Sequence, residues 1–222
     1  MPNYAALRNK QAELIRKATD GSVFMAPATA DPIGDLTVLT GGVIDLNVLP
    51  EEYDDLGWLT GDGAQFSRDV STSDITSWGS VAPTRSDVTS DSTTLTVVAQ
   101  ETKLLTIGMA TGADLTAVKA KAGTGEVSIA KPLRPSSRTY RALSLAVDEN
   151  EFGEIYMGRF LPRGKVTGYA PQNHGAGDGA IEWGVTLTGE PDSELGYSER
   201  WLFGGAGWFA LCAKMGFEIA AA

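Results

Sequence analysis

Apolar residues recur along this chain with two different periods, and the changes of period mark its parts. Tyr4, Leu7, Leu14, Ile15 and Ala18 fall on one rough helical face, with charges elsewhere, and Gly21 follows as a stop; this predicts a short amphipathic helix within residues 3–18. Such a helix is marginal alone, so its stripe needs a surface, on its own domain or on a neighbouring subunit. Residues 22–55 lose the pattern. They hold Pro27, Pro32, Pro50, the pair Gly41-Gly42 and short apolar pieces such as Val43-Ile44-Asp45-Leu46. They read either as an arm ordered by packing on something else or as an irregular surface loop with one edge strand.

From Trp58 the period shortens to two. Ala64 to Val70 is extended and partly polar. Ser71 to Thr93 is rich in Ser, Thr and Asp, with Ile75, Trp78, Val81 and Val88 spaced through it, and reads as extended chain with a large loop. Thr94 to Ala99 alternates and is β-branched, a strand. Glu101 to Ala110 changes to a helical spacing through Leu104, Leu105, Ile107 and Met109, ended by Gly112. Val127 and Ile129 suggest a short strand before Pro132 and Pro135. Leu143, Leu145 and Val147 alternate, Asp148 to Glu151 makes a polar turn, and Ile155 to Phe160 returns as a hairpin partner that Pro162 and Gly164 break or bulge. Lys165 to Tyr169 continues extended. After a glycine-rich loop, Asn173 to Gly179, the cleanest alternation follows: Ile181, Trp183, Val185 and Leu187. Strands paired in this order make a meander with one packed and one wet face. Trp208 to Met215 reads as a closing helix. No internal repeat, heptad or membrane-length apolar run is present.

Composition adds bounds. An apolar content of 42% in 222 residues supports a packed core and excludes wholesale disorder. The net charge of −10 argues against a high-affinity nucleic-acid binder, which needs a Lys and Arg patch, but not against a surface past which DNA slides. The single cysteine, Cys212, allows no intrachain disulfide and reads as a small buried hydrophobe. No signal-peptide pattern opens the chain, so a soluble protein made in a cytoplasm is expected, with no membrane partner.

Catalytic chemistry finds no constellation. The one histidine, His174, sits in the glycine-rich loop without the partners that a triad or zinc site requires. Gly175 to Gly179 lacks the Lys and Ser/Thr of a phosphate loop, and a strand follows it. Asp148, Glu149 and Glu151 lack the spacing of a calcium loop, and the many aspartates among Ser and Thr suit turns and solvated surface. Five tryptophans could stack on sugars; Trp183 and Trp201 fit core or subunit contacts better. The expectation is no enzyme, no cofactor and no metal: a structural or binding protein.

One resemblance sharpens this. Leu56-Gly57-Trp58-Leu59-Thr60-Gly61-Asp62-Gly63, Phe66-Ser67-Arg68-Asp69, Ser77-Trp78-Gly79, Gln100-Glu101-Thr102-Lys103, Gly153-Glu154-Ile155-Tyr156, Arg159 to Val166, Trp183 to Gly189 and Glu199 to Gly205 together resemble the major tail tube proteins of long-tailed, siphovirus-type phages of actinobacteria. The likeness covers most of the chain from about residue 56, plus the N-terminal segment, and rests on extent rather than on any single motif. It implies a mainly β tail tube fold, a β-sandwich or barrel of two packed antiparallel sheets with a flanking α-helix at Glu101 to Ala110, plus N- and C-terminal helices. It also implies a virion protein, assembled in the host cytoplasm, whose hexameric rings stack around a tape measure protein. Tail terminator and distal tail proteins would be its other partners, and viral DNA would pass through without specific binding. Closing a sheet across subunits removes aggregation-prone edges, and a head-to-tail contact that does not close grows a filament.

The division expected is 1–21 helix, 22–55 arm, 56–205 β domain with the inserted loop 71–93, and 206–222 C-terminal helix and tail. Carboxylates lining the lumen would repel phosphates, and Asp62, Asp69, Glu154 and Glu182, in or beside extended segments, are the candidates. Segments 22–55 and 71–93 are the candidate ring-to-ring contacts. The alternative is a carbohydrate- or receptor-binding, or decoration, β-sandwich of the virion.

Overall fold

The computed structural model describes residues 3–134, 138–177 and 179–220; Pro135 and Asp178, noted above, lie outside them. The chain is mainly β. In order it forms a helical turn α1 (Tyr4–Leu7), strands β1 (Asp20–Pro27), β2 (Thr37–Thr40), β3 (Val43–Leu46), β4 (Asp54–Asp55), β5 (Gln65–Ile75) and β6 (Arg85–Ala99), helix α2 (Leu104–Thr111), strands β7 (Thr139–Asn150), β8 (Gly153–Tyr169), β9 (Trp183–Gly189) and β10 (Arg200–Gly204), and two short helices, α3 (Ala206–Phe209) and α4 (Cys212–Met215). Among the described residues no helix is long and apolar enough to cross a membrane.

Eight strands make one antiparallel sheet in the order β4-β1-β7-β8-β9-β6-β5, and the hairpin β2-β3 is a second, smaller sheet. Strand β8 is long enough to serve two neighbours on one side. Tyr156 to Phe160 pair with β10, and Gly164 to Tyr169 pair with β9. Successive side chains point to opposite faces, so the sheet carries two cores. On one face Val23, Met25, Leu95, Val97, Tyr140, Ala142, Leu161, Val185 and Leu187 pack together, covered by Met109 and Leu105 of α2. On the other, Ala26, Leu143, Leu145, Phe160 and Leu202 lie under Ala30, Ile33, Leu36 and Tyr53 from residues 28–53. Burying each such side chain contributes about 1.5–3 kcal/mol. Since Leu143, Phe160 and Leu161 are wholly buried, the β7-β8 pair carries much of the stability.

Near one end the sheet almost closes on itself. Leu56 N–H donates to Val23 O at 3.0 Å, so the chain is still on the edge of β1. Two residues later it is on the edge of β6, where Trp58 O accepts from Gln100 N–H at 2.8 Å and Thr60 N–H donates to Val98 O at 3.0 Å. Gly57, at φ +84°, makes the crossing, and a Cβ there would strike the Glu101 carboxylate at 2.3 Å. That carboxylate clips the crossing: Oε1 accepts from Trp58 N–H at 2.8 Å, and Oε2 pairs with Lys103 Nζ at 2.8 Å. Beside it a cavity of about 580 Å³ separates β1 from residues 57–64.

Several expectations need correction. The N-terminal amphipathic helix reduces to α1 and a 3-10 turn at Ala12–Leu14, because Tyr4, Leu7 and Ile15 find no surface to cover and remain exposed. Residues 22–27, placed in an arm, belong to the strand Asp20–Pro27 inside the large sheet, paired along its whole length with β7. Val127 and Ile129 form no strand. Residues 71–93, read as extended chain with a large loop, are strand up to Ile75 and again from Arg85, with the loop confined to 76–84. The closing helix is broken into α3 and α4. The bulge at Pro162 and Gly164 is present: Tyr140 faces Gly164 and Ala142 faces Leu161, so β8 carries one extra residue.

Candidate functional site

Two features of the large sheet stand out because none of the described residues covers them. The first is the outer face of β5, β6, β9 and the end of β8. Residues directly opposite in an antiparallel ladder share a face. The register places Gln65, Ser67, Asp69 and Ser71 beside Thr96, Thr94, Ser92 and Ser90, and sets Thr94 and Thr96 against Thr188 and Thr186. Thr96 and Thr186 hydroxyls lie 3.0 Å apart, and Thr167 and Thr188 2.8 Å apart. The face is therefore a field of hydroxyls. Of its charges, Lys165 is neutralised by Glu190 at 3.5 Å, which leaves Asp69, and Glu182 at the far end, to give the face a negative sign. The outer face of β1, β7 and the first half of β8, by contrast, lies under residues 28–53.

The second feature is a projecting hairpin. Beyond Thr94, β6 pairs with β5 alone, from Arg68↔Thr93 to Ile75↔Arg85, a reach of roughly 30 Å at strand rise. Its ladder is reinforced by Arg68 on Asp91 across the strands at 2.5 Å, and within β6 Arg85 pairs with Asp87 at 2.7 Å. The turn is tied by Thr84 N–H to Ile75 O at 2.8 Å. Its apolar side chains have no cover: Val70, Ile75 and Val88 are exposed, and Trp78 and Val81 stand fully in solvent. A two-stranded hairpin is marginal in water on its own. In total the chain exposes 14759 Å², about half as much again as the ~9,700 Å² expected of a compact monomer of this mass.

A family profile described as phage tail tube protein matches residues 8–190. The chain belongs to that family. No curated protein matches it. Among solved structures it is similar to a chain of the six-fold symmetrised cryo-EM structure of the anti-feeding prophage baseplate, at 11% identity, over 87% of this chain and 99% of that one, with a TM-score of 0.38.

The four acidic candidates of this tail tube chain do not converge. Asp69 lies on the hydroxyl face, on the exposed hairpin. Glu182 sits at the same face's far end, where it accepts from Gln100 Nε2 at 3.5 Å. Asp62 lines the cavity beside the Gly57 crossing. Glu154 belongs to the other half of the sheet and accepts the Tyr156 hydroxyl. His174 is exposed, its Nε2 3.1 Å from Gln172 Oε1. Cys212 is half-buried, and its thiol donates to Trp208 O at 3.5 Å. Asp148 accepts from Lys17 N–H at 3.3 Å, which fixes the N-terminal segment to the end of β7. Trp183 is half-buried with its indole N–H on Thr102 Oγ1 at 3.1 Å, while Trp58 and Trp201 are exposed.

The Glu154 contact has a measurable consequence. Its hydrogen bond, and secondly burial, push the Tyr156 phenol up to about 12. An unfolded phenol ionises near 10. The raised value means that the contact's stabilisation is complete below about pH 10 and is lost as pH rises towards 12. Burial also makes the Tyr53 and Tyr140 phenols titrate late, so in tyrosinate absorbance the late amplitude should fall by one phenol in Tyr156→Phe, and one late phenol should move down in Glu154→Gln. A late amplitude unaltered by Glu154→Gln would assign the shift elsewhere.

The hydroxyl face was not singled out from the sequence, although Ser90-x-Ser92-x-Thr94-x-Thr96 and Thr186-x-Thr188 alternate in plain view. Its signal is a period-two repeat of hydroxyls opposite a period-two repeat of Leu and Val. An eye tuned to charge passes over it.

Proposed function

We propose that this chain is the major tail tube subunit of a long-tailed actinobacterial phage: six copies close into a ring, rings stack into the tail around the tape measure protein, and viral DNA leaves through the bore. Its role is structural, with no chemistry of its own. Tail terminator and distal tail proteins cap the ends, and assembly takes place in the host cytoplasm. The observation that carries this reading is the bare four-strand hydroxyl face. A sheet packed on one side and polar on the other suits closure into a wide barrel, and closure across subunits covers the sheet's open edge at β5. The uncovered hairpin and the excess surface fit a subunit whose cover comes from other copies.

The face also refines how DNA would pass. Phosphates are held by Lys and Arg, and here the one lysine is already paired. Hydroxyls bind water and exchange it readily, so the bore is a wetted, faintly negative surface rather than a strongly acidic one. Negative-stain microscopy of the purified protein, alone and with the tape measure protein, tests the reading. Stacked rings or tubes are expected; discrete monomers or trimers under both conditions would favour a decoration or receptor-binding role instead.

A further inference from the structure

At the fork where the hairpin leaves the sheet, one side chain touches both arms. Arg159, on β8, has its guanidinium 3.6 Å from the Phe66 ring centroid of β5 and 4.2 Å from the Trp201 ring centroid of β10. Its Nε and Nη2 donate to Glu199 Oε1 at 2.6 and 2.5 Å, and Glu199 Oε2 accepts from the buried Thr93 hydroxyl of β6 at 3.0 Å. Side-chain exposures of 22% for Arg159 and 12% for Glu199 mean little solvent screening. The outer plate is itself anchored. Trp201 lies 6.2 Å from Phe203, which stacks on Trp208 of α3 at 4.6 Å and 9°. One cation thus joins both roots of the hairpin, Phe66 and Thr93, to the body strands β8 and β10.

We propose that Arg159 is a positioning residue: stacked between Phe66 and Trp201 and paired to Glu199, it sets the angle at which the hairpin projects, and so aims it at the next subunit. Without it the hairpin's root is held to the body by the β6-β9 ladder and the packing of Phe66 on the core, and a two-stranded ribbon that has lost this brace swings. A planar guanidinium can stack on two rings and fork onto a carboxylate at once, which an ammonium cannot. Aiming the hairpin at another subunit rests on the tube reading above; holding its angle does not.

The test is a distance between spin labels at Ser80→Cys, on the hairpin turn, and Thr167→Cys, on the body, in the unassembled subunit with Cys212→Ala. The parent should give one narrow distribution. Removing Arg159 alone strands a screened carboxylate and risks unfolding, so the variant is Arg159→Met with Glu199→Gln, which keeps an acceptor for Thr93 and no buried charge. A broadened distribution with an unchanged far-UV spectrum, repeated in Arg159→Lys, is the expected result, together with loss of tubes. A distribution as narrow as the parent's in the double variant would overturn the brace. Broad distances with tubes intact would show that hairpin angle does not govern assembly and would overturn its functional half. Failure of the tube reading itself is detected separately, by microscopy of the parent chain, which would then form no tubes.

Discussion

Excising Thr72 to Thr89 and joining Ser71 to Ser90 by a two-residue Asn-Gly turn should leave a folded subunit that builds no tubes. Ser71 and Ser90 are directly opposite in the ladder, so a tight type I′ turn closes the shortened hairpin without strain. No residue removed is buried, and both cores lie in the body, so little packing is lost. Surface changes of this kind stay within about 0.5 kcal/mol each. The thermal midpoint should therefore move by a few degrees at most. Assembly is affected differently: the excised arm carries Ile75, Trp78, Val81 and Val88, the apolar side chains that another copy would cover. Far-UV circular dichroism and negative-stain microscopy of the same sample give both readouts. Long tubes from the shortened chain would remove the hairpin from the assembly contact.

Lysines on the hydroxyl face should produce the other large effect. Thr94→Lys, Thr96→Lys and Thr186→Lys place three cations per subunit on half-exposed positions that pack nothing beneath them. In a ring they would be repeated by every copy. Tails should still form, but the genome, instead of sliding, would be held phosphate by phosphate. Such binding weakens by roughly 10³–10⁵-fold between 50 and 200 mM salt when six to ten phosphates are engaged. Particles carrying the variant should therefore eject slowly at low salt and recover as salt is raised. Ejection at the parental rate at low salt, from tails of normal length, would place this face on the outside.

Much of the sheet was legible in the sequence. Thr94 to Ala99 and Trp183 to Leu187 alternate because one side packs and the other is wet, Leu143 to Val147 alternates although Ser144 between its leucines is buried as well, and each is a strand. The misses have physical causes. Val23-Phe24-Met25-Ala26 does not alternate because β1 contributes to the cores on both faces of the sheet, and a short apolar run before Pro27 reads as loop. The free hairpin is polar on both faces, so it too lacks the period that betrays a strand; its pairing is visible only once Arg68 meets Asp91 across it. The N-terminal stripe has helical spacing, yet a segment below about 12–15 residues needs a partner surface to stay helical. Arg159 carries no local signal, since its partners lie 93 residues before it in Phe66 and 42 after it in Trp201.

The pairing of β1 with β7 sets a timetable for synthesis. Asp20 faces Val147, more than a hundred residues later, whereas β5 and β6 are neighbours in the chain. On the ribosome the hairpin can zip within microseconds of emerging, while β1 waits exposed until two-thirds of the protein has been made. If the hairpin meets another copy as proposed above, the reaching arm is thus finished first and the body that would receive it last.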